Sequence, residues 1–279
     1  MYKKILATVN EHLNSEISAR YALNLAKTCN AKFYICFVSG KDMTESNFKK
    51  ATDALSRLFN EAEQQDIPVE STTMSGDPLN ELDKFVRREN LDIVFISTRR
   101  EDIRKRFFTG TVARKLSLKL PCSVALVHVV HMGKIRPGKI LAPLKAKINN
   151  INERAYFTSN MAKCFDSQVI VFHSTKPIKH FFHGEVHLAP IEWEKRLPDD
   201  ISVFMDYLKK YGISYERKLI PGVTARNITI EAFTKRHDLI IMGASERSLF
   251  SNLLKSSPVE NLLKETPCNL IILKPRHED

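Results

Sequence analysis

Two stretches of this chain carry residues whose types and spacing could do chemistry. One reads Met242-Gly243-Ala244-Ser245-Glu246-Arg247 and runs on to Lys255-Ser256-Ser257-Pro258. The other places Arg99, Arg100, Arg104, Lys105 and Arg106 ahead of Gly110-Thr111. Such a basic cluster can hold a phosphate-bearing ligand, although a run of this kind is more often a solvated face. A third group, His180, His183 and His187 with Glu185 between them, has the i, i+3, i+7 spacing that lines three imidazoles along one helical face, as zinc or nickel would require. Gly184 and the nearby prolines oppose a helix there. The stretch therefore reads as an exposed histidine-rich loop, and no metal site is expected. The sequence contains no Gly-x-Ser-x-Gly elbow, no Walker-type lysine loop and no His-Glu-x-x-His, so no catalytic residues are assigned.

These stretches need elements to position them. Residues 4–9, 33–38, 69–74, 91–96 and 124–129 are apolar, β-type runs, and helical stripes separate them: Ala19, Ala22, Leu23 and Ala26, then Ala51, Leu55, Leu58 and Phe59, then Leu82, Phe85 and Val86, then Val112, Leu116 and Leu120. Residues 140–144, 169–173, 214–220, 239–242 and 270–273 repeat the strand series. Strands alternating with helices imply right-handed crossovers and a parallel sheet covered on both faces. Ligands of such sheets sit outside the carboxyl ends of the strands, where strand order reverses. That rule points to the loops after strands one and four.

The strand series recurs because the chain is written twice. Pro121-Cys122 returns as Pro267-Cys268, an offset of 146 (267 − 121), and the same offset takes Ile67 to Ile213, Gly76 to Gly222 and Asp92 to Asp238. Lys4-Ile5-Leu6-Ala7 likewise matches Lys139-Ile140-Leu141-Ala142. A repeat this long is a duplicated domain, too long to be one unit of a solenoid. We expect domains over residues 1–132 and 133–279, a linker near residues 131–138, and an insertion of about residues 175–200 that contains Trp193. Two such domains should pack as a pseudo-dimer, as a monomer or within a homodimer.

Composition narrows the function classes. The 279 residues are 43% hydrophobic and 27% charged, ordinary values for a globular protein. No apolar run approaches the ~18 residues of a membrane span, and the first residues lead straight into a strand, so a cytoplasmic location is expected. Five cysteines, none spaced as Cys-x-x-Cys, argue against a disulfide framework. The net charge of +11 is unusual, but it is spread without a basic tail. It modifies partner choice and predicts no specific nucleic-acid partner.

The Lys-Ile-Leu opening strand, the Gly76-Asp77-Pro78 turn, the Met242-Gly243-Ala244-Ser245 loop and the closing helix followed by Pro-Cys resemble the universal stress protein family, in its tandem form, over nearly the whole chain. The resemblance implies two adenine nucleotide α-hydrolase-like (Rossmann-like) α/β domains that mate through their last strands, here residues 124–129 and 270–273. Members of the family that bind ATP carry Gly-x-x-Gly-x9-Gly-Ser/Thr, whose glycines admit backbone N–H groups to the phosphates. In this chain the second copy reads Gly243, Glu246, Ser256-Ser257, and the first reads Ser97, Arg100, Gly110-Thr111. The family aspartate after the first strand is replaced by Asn10 and Lys145. Each loop is thus degenerate. The resemblance implies a non-catalytic role in sensing a small-molecule or nucleotide ligand, or in binding a protein partner. The alternative is an ATP-binding, slowly hydrolysing switch using Gly243, Ser245, Ser256 and Ser257 with Lys145, and a salt-sensitive polyanion binder is the third reading.

Overall fold

The computed structural model describes residues 1–98, 111–175, 197–221, 224–244 and 258–276. The first half runs β1 (Lys4–Val9), α1 (Leu13–Cys29), β2 (Lys32–Ser39), α2 (Glu45–Glu63), β3 (Val69–Ser75), α3 (Pro78–Glu89), β4 (Ile93–Thr98), α4 (Val112–Lys119) and β5 (Ser123–His128). The second runs β6 (Lys139–Leu144), α5 (Ile151–Phe165), β7 (Gln168–Thr175), α6 (Asp199–Lys210), β8 (Tyr215–Pro221), α7 (Thr224–Thr234), β9 (Leu239–Gly243), α8 (Pro258–Glu265) and β10 (Asn269–Lys274). Most of the expected insertion lies outside the described residues, together with Trp193.

All ten strands form one sheet in the order β3-β2-β1-β4-β5-β10-β9-β6-β7-β8. Each half is parallel internally, and the strands expected to mate do so: β5 and β10 pair antiparallel, with Leu270 opposite His128 and Ile272 opposite Leu126. The sheet is therefore mixed at one seam only. Every residue of β5 and β10 is buried, which explains why both read as unbroken apolar runs rather than as alternating ones. One apolar core lies under α1, α2, α5 and α6, and the other under α3, α4, α7 and α8.

Helix boundaries follow local chemistry. Gly76 holds φ +141, which an L side chain rarely adopts. Asp77 then caps α3 by accepting a hydrogen bond from Asn80 N at 3.0 Å, with Pro78 in the first turn. Across the seam, aromatic rings meet: Tyr2 contacts Tyr156 edge-on at 5.4 Å between ring centroids, Tyr21 contacts Phe165 edge-on at 5.9 Å, and Phe95 lies tilted against Phe157 at 6.1 Å. Asn269, fully buried at the start of β10, accepts hydrogen bonds from Val130 N and His131 N and donates to Tyr21 Oη. Its counterpart Ser123, at the start of β5, donates to Glu153 and accepts from Arg276 N at 2.9 Å. Each half thus secures the segment leaving the other's last strand.

The five cysteines are all free. Burial pushes the thiols of Cys36, Cys122, Cys164 and Cys268 up to about 12, which keeps them protonated.

The repeated aspartates have a structural task. Asp92 Oδ2 accepts from Lys3 N at 2.6 Å and Lys4 N at 2.9 Å, while Asp238 Oδ2 accepts from Gly138 N at 2.9 Å and Lys139 N at 3.2 Å. Each one ties the entry of its half's fourth strand to that of its first. Burial pushes the Asp238 carboxyl up, but hydrogen bonds from Lys134, Gly138 and Lys139 outweigh it and hold the group below its ordinary value. A depressed folded-state value stabilises the fold above the unfolded aspartate pKa, and that stabilisation is lost as pH falls through the folded value. Asp92→Ala and Asp238→Ala should each lower unfolding free energy by roughly 2 kcal/mol in urea melts at neutral pH. Asp238→Asn should flatten the stability profile below about pH 4.

Candidate functional site

The strand order in the first half reverses at β1 and β4, and a cleft of ≈ 570 Å³ opens there beyond their carboxyl ends. Its walls are the ends of β1 (Thr8, Val9), β2 (Phe37, Val38) and β4 (Ile96, Ser97, Thr98), with the first turns of α3 and α4 closing the sides. Cys36, Phe37, Leu82, Ile96 and Leu116 give it an apolar floor. Polar groups stand around them: Asn10, Asn47 and Thr111, with Glu11, Lys41 and Asp42 supplying charge.

Of the loop residues singled out from the sequence, Asn10, Ser97 and Thr111 are brought to this one cleft. Asn10 and Thr111 also have local duties. Asn10 Oδ1 accepts from His12 N at 2.9 Å, and Asn10 N donates to Ser15 Oγ at 3.0 Å, which shapes the turn from β1 into α1. Thr111 caps α4 by accepting from Arg114 N at 3.2 Å. Gly110 and the cluster Arg99, Arg100, Arg104, Lys105 and Arg106 lie outside the described residues.

In the second half Lys145 follows β6 as an exposed residue. Gly243 ends β9, and the side chain of Arg154 from α5 lies directly over it. A β-carbon added at Gly243 would stand 2.1 Å from Arg154 Nη1. The guanidinium donates to Ala244 O at 3.4 Å, while its buried Nε has no hydrogen-bond partner among the described residues. Burial lowers the guanidinium to about 10, opposed by the neighbouring Glu153 charge. The glycine's missing side chain therefore makes room for an arginine of the chain itself. Ser245, Ser256 and Ser257 lie outside the described residues, as do His180, His183 and His187. Among the described residues, no group of three or more His, Cys, Asp or Glu side chains could hold a metal ion.

Two features escaped the sequence reading. Thr98 Oγ1 and His128 Nδ1 are 3.0 Å apart at the ends of β4 and β5, both buried. Nothing in the local sequence of either residue marks the pair, because strand register alone aligns them. Arg154 did leave a trace: the helices of the two halves are related by an offset of 136 (160 − 24, since Asn24 and Asn160 each donate to the carbonyl four residues before), which puts it opposite Ser18, a small residue fully buried in α1.

A duplicated five-stranded unit, with a cleft at a switch point, places the molecule among tandem α/β proteins of the adenine nucleotide α-hydrolase-like fold. The model of the universal stress protein family matches residues 1–128 and 157–274, and the chain belongs to that family. A universal stress protein of Methanocaldococcus jannaschii is 24% identical over 140 residues, covering 46% of this chain and 82% of that protein. Among solved structures, a universal stress protein from Archaeoglobus fulgidus aligns over 99% of this chain and 97% of its own, with a TM-score of 0.66 and 15% identity. A protein described as a putative universal stress protein, from Pseudomonas aeruginosa, aligns over 99% and 94%, with a TM-score of 0.63 and 16% identity. These structural likenesses show a shared full-length fold. No helix among the described residues is long and apolar enough to cross a membrane.

Gly243→Ala should destabilise the fold by about 1–3 kcal/mol through overpacking against Arg154. Arg154→Ala should remove most of that penalty in a double-mutant cycle read by urea unfolding. Additive effects of the two changes would mean that the close approach is unimportant.

Proposed function

We propose that this protein is a non-catalytic member of its family that senses a small ligand in the cleft of its first half. The observation that carries the reading is the contrast between the two halves. One has a cleft of ≈ 570 Å³ at its switch point, while the corresponding glycine corner of the other is filled by Arg154. A cleft of that size is within the range of small-molecule sites, roughly 300–1,000 Å³. Its lining suits a ligand with an apolar body about the size of a ring system and a few hydrogen-bonding groups at the rim. Adenine nucleotides are the first probes, and Asn10, Thr111 and the adjoining Gly110 are the residues proposed to contact such a ligand. Occupancy would shift a conformational equilibrium in proportion to the ligand's preference for one state.

The reading competes with a nucleotide switch operated by Gly243, Ser245, Ser256, Ser257 and Lys145 in the second half. Arg154 supports the first over the second, because a ligand at Gly243 would have to displace it. A third reading, salt-sensitive binding of polyanions, draws on the net charge of +11. Binding of that kind would ignore a change in the cleft and fall steeply with salt.

Native mass spectrometry of gently purified protein, followed by thermal-shift titration with ATP, ADP and AMP, separates the three. The first reading expects one ligand per chain. At a hundred times its Kd it should raise stability by about 2.7 kcal/mol. Ala113→Phe, which fills the cleft, should abolish the shift, and Arg154→Ala should leave it intact. Retention of binding in Ala113→Phe would overturn the proposal, and loss in Arg154→Ala would move the site to the second half.

A further inference from the structure

We propose that the exposed face of α7 is a docking surface for a protein segment that presents carboxylates around an apolar anchor. The duplication supplies an internal control. The offset that relates Asp92 to Asp238 makes α3 and α7 equivalent helices, and their inward positions agree. Leu82 and Ile228, Val86 and Ala232, and Leu91 and His237 are all buried. The outward positions differ in kind. Lys84 and Arg87 of α3 are exposed and close ion pairs on their own helix, to Glu81 at 2.8 Å and to Asp83 at 3.1 Å. Their counterparts on α7 are Ile230, 48% exposed, and Phe233, 71% exposed. Isolated apolar residues on a surface need no explanation, but two at i, i+3 where the sister helix carries ion-paired cations do.

Charge selects the occupant. Arg226, Lys235 and Arg236 stand exposed on the same helix and its C-terminal turn. None of the three has an ion-pair partner among the described residues. The one carboxylate of α7, Glu231, is turned inward, where it pairs with Lys218 at 2.8 Å and faces His237 at 3.6 Å. The neighbouring α8 ends in Lys264 and Glu265, one charge of each sign. Arg236 also holds a left-handed φ of 52, where the first half uses Asn90 at 51. Asparagine tolerates that conformation, whereas arginine adopts it at a conformational cost, so a cation is kept there against backbone preference.

A second copy of the chain would set this face against itself, cation to cation, which opposes self-pairing. A lipid surface would gain only two apolar side chains, less than the single acyl chain that itself gives marginal anchoring. A protein interface needs no more than a few aromatic and arginine anchors inside a polar rim, and that matches Phe233, Ile230 and the surrounding cations. This face is separate from the first-half cleft, and the inference stands whether or not that cleft takes a ligand.

The test converts one helix into its sister. Ile230→Lys with Phe233→Arg installs the residues that α3 carries at the same positions, so the full chain should fold with an unchanged melting temperature. Phe233→Ser gives the same readout should the double variant melt early. A randomised twelve-residue peptide library displayed on phage is selected on the natural chain and counter-selected on the variant. The expected peptides carry Asp or Glu flanking Phe, Leu or Trp and bind the natural chain roughly tenfold or more tightly than the variant, with affinity that weakens as salt rises. Equal enrichment on both chains, or enriched peptides without carboxylates, overturns the proposal. Two control results overturn it as well, each when no peptide preference is found. One is binding to phosphatidylserine vesicles that the variant loses, which would make the face a lipid contact. The other is concentration-dependent sedimentation of the natural chain alone, which would make it a self-association surface.

Discussion

The antiparallel pairing of β5 with β10 is the constraint on which the rest of the structure depends. A five-stranded parallel sheet ends in an edge whose N–H and C=O groups are open to any extended chain. Here the two most apolar edges satisfy each other, and both strands are completely buried as a result. The outer edges, β3 and β8, are handled differently. Glu70 and Glu216 on them bond to Lys32 and Gln168 of the adjacent strands, and β3 has no fully buried residue. Charged, half-exposed strands resist further pairing. The duplication has therefore placed its stickiest edges where they can only find one another.

Because the seam is antiparallel, it acts as a local two-fold and brings α1 of one half against α5 of the other. Core residues of both halves then belong to common clusters on each side of the sheet. The polar groups at the seam show how the copies diverged while keeping one geometry. Ser123 and Asn269 are equivalent, and both secure the chain leaving the opposite half, yet they do so with a hydroxyl and an amide. Asp92 and Asp238 kept both residue type and task, since two backbone donors converging on one carboxylate leave little choice.

The architecture was legible in the sequence because it rests on periodicity and repetition. Residues 4–9 read as a strand and form one with those bounds, and the expected mating strands are the ones that pair. Strand four begins two residues later than its apolar run, because Asp92 is drawn into the carboxylate clamp and Leu91 into the helix terminus. The site was harder to read. Asn10 and Thr111 were visible as loop residues at strand and helix ends, and they do share a cleft. Arg154 could not be placed from its own neighbourhood, since its contact with Gly243 spans distant parts of the chain. The same holds for Thr98 and His128, which only register brings together. Side chains that act across elements leave no local period for a reader to find.

Divergence between the halves follows from where the duplication relaxed constraint. At inward positions burial is kept, with Leu82 and Val86 matched by Ile228 and Ala232, although Phe85 and Leu91 give way to the buried, mutually facing Glu231 and His237. At the switch points, the first half opens a cleft, while in the second Arg154 lies over Gly243. The helix residue equivalent to Ser18 is there an arginine that fills the space above Gly243. Its guanidinium donates to Ala244 O, while its buried Nε has no partner among the described residues and burial lowers its pKa, a costly setting for a charge. Closure of the corner above Gly243 is what its position achieves. A tandem chain lets its two copies differ at this corner and on their outer helices, where a symmetric dimer of single domains does not.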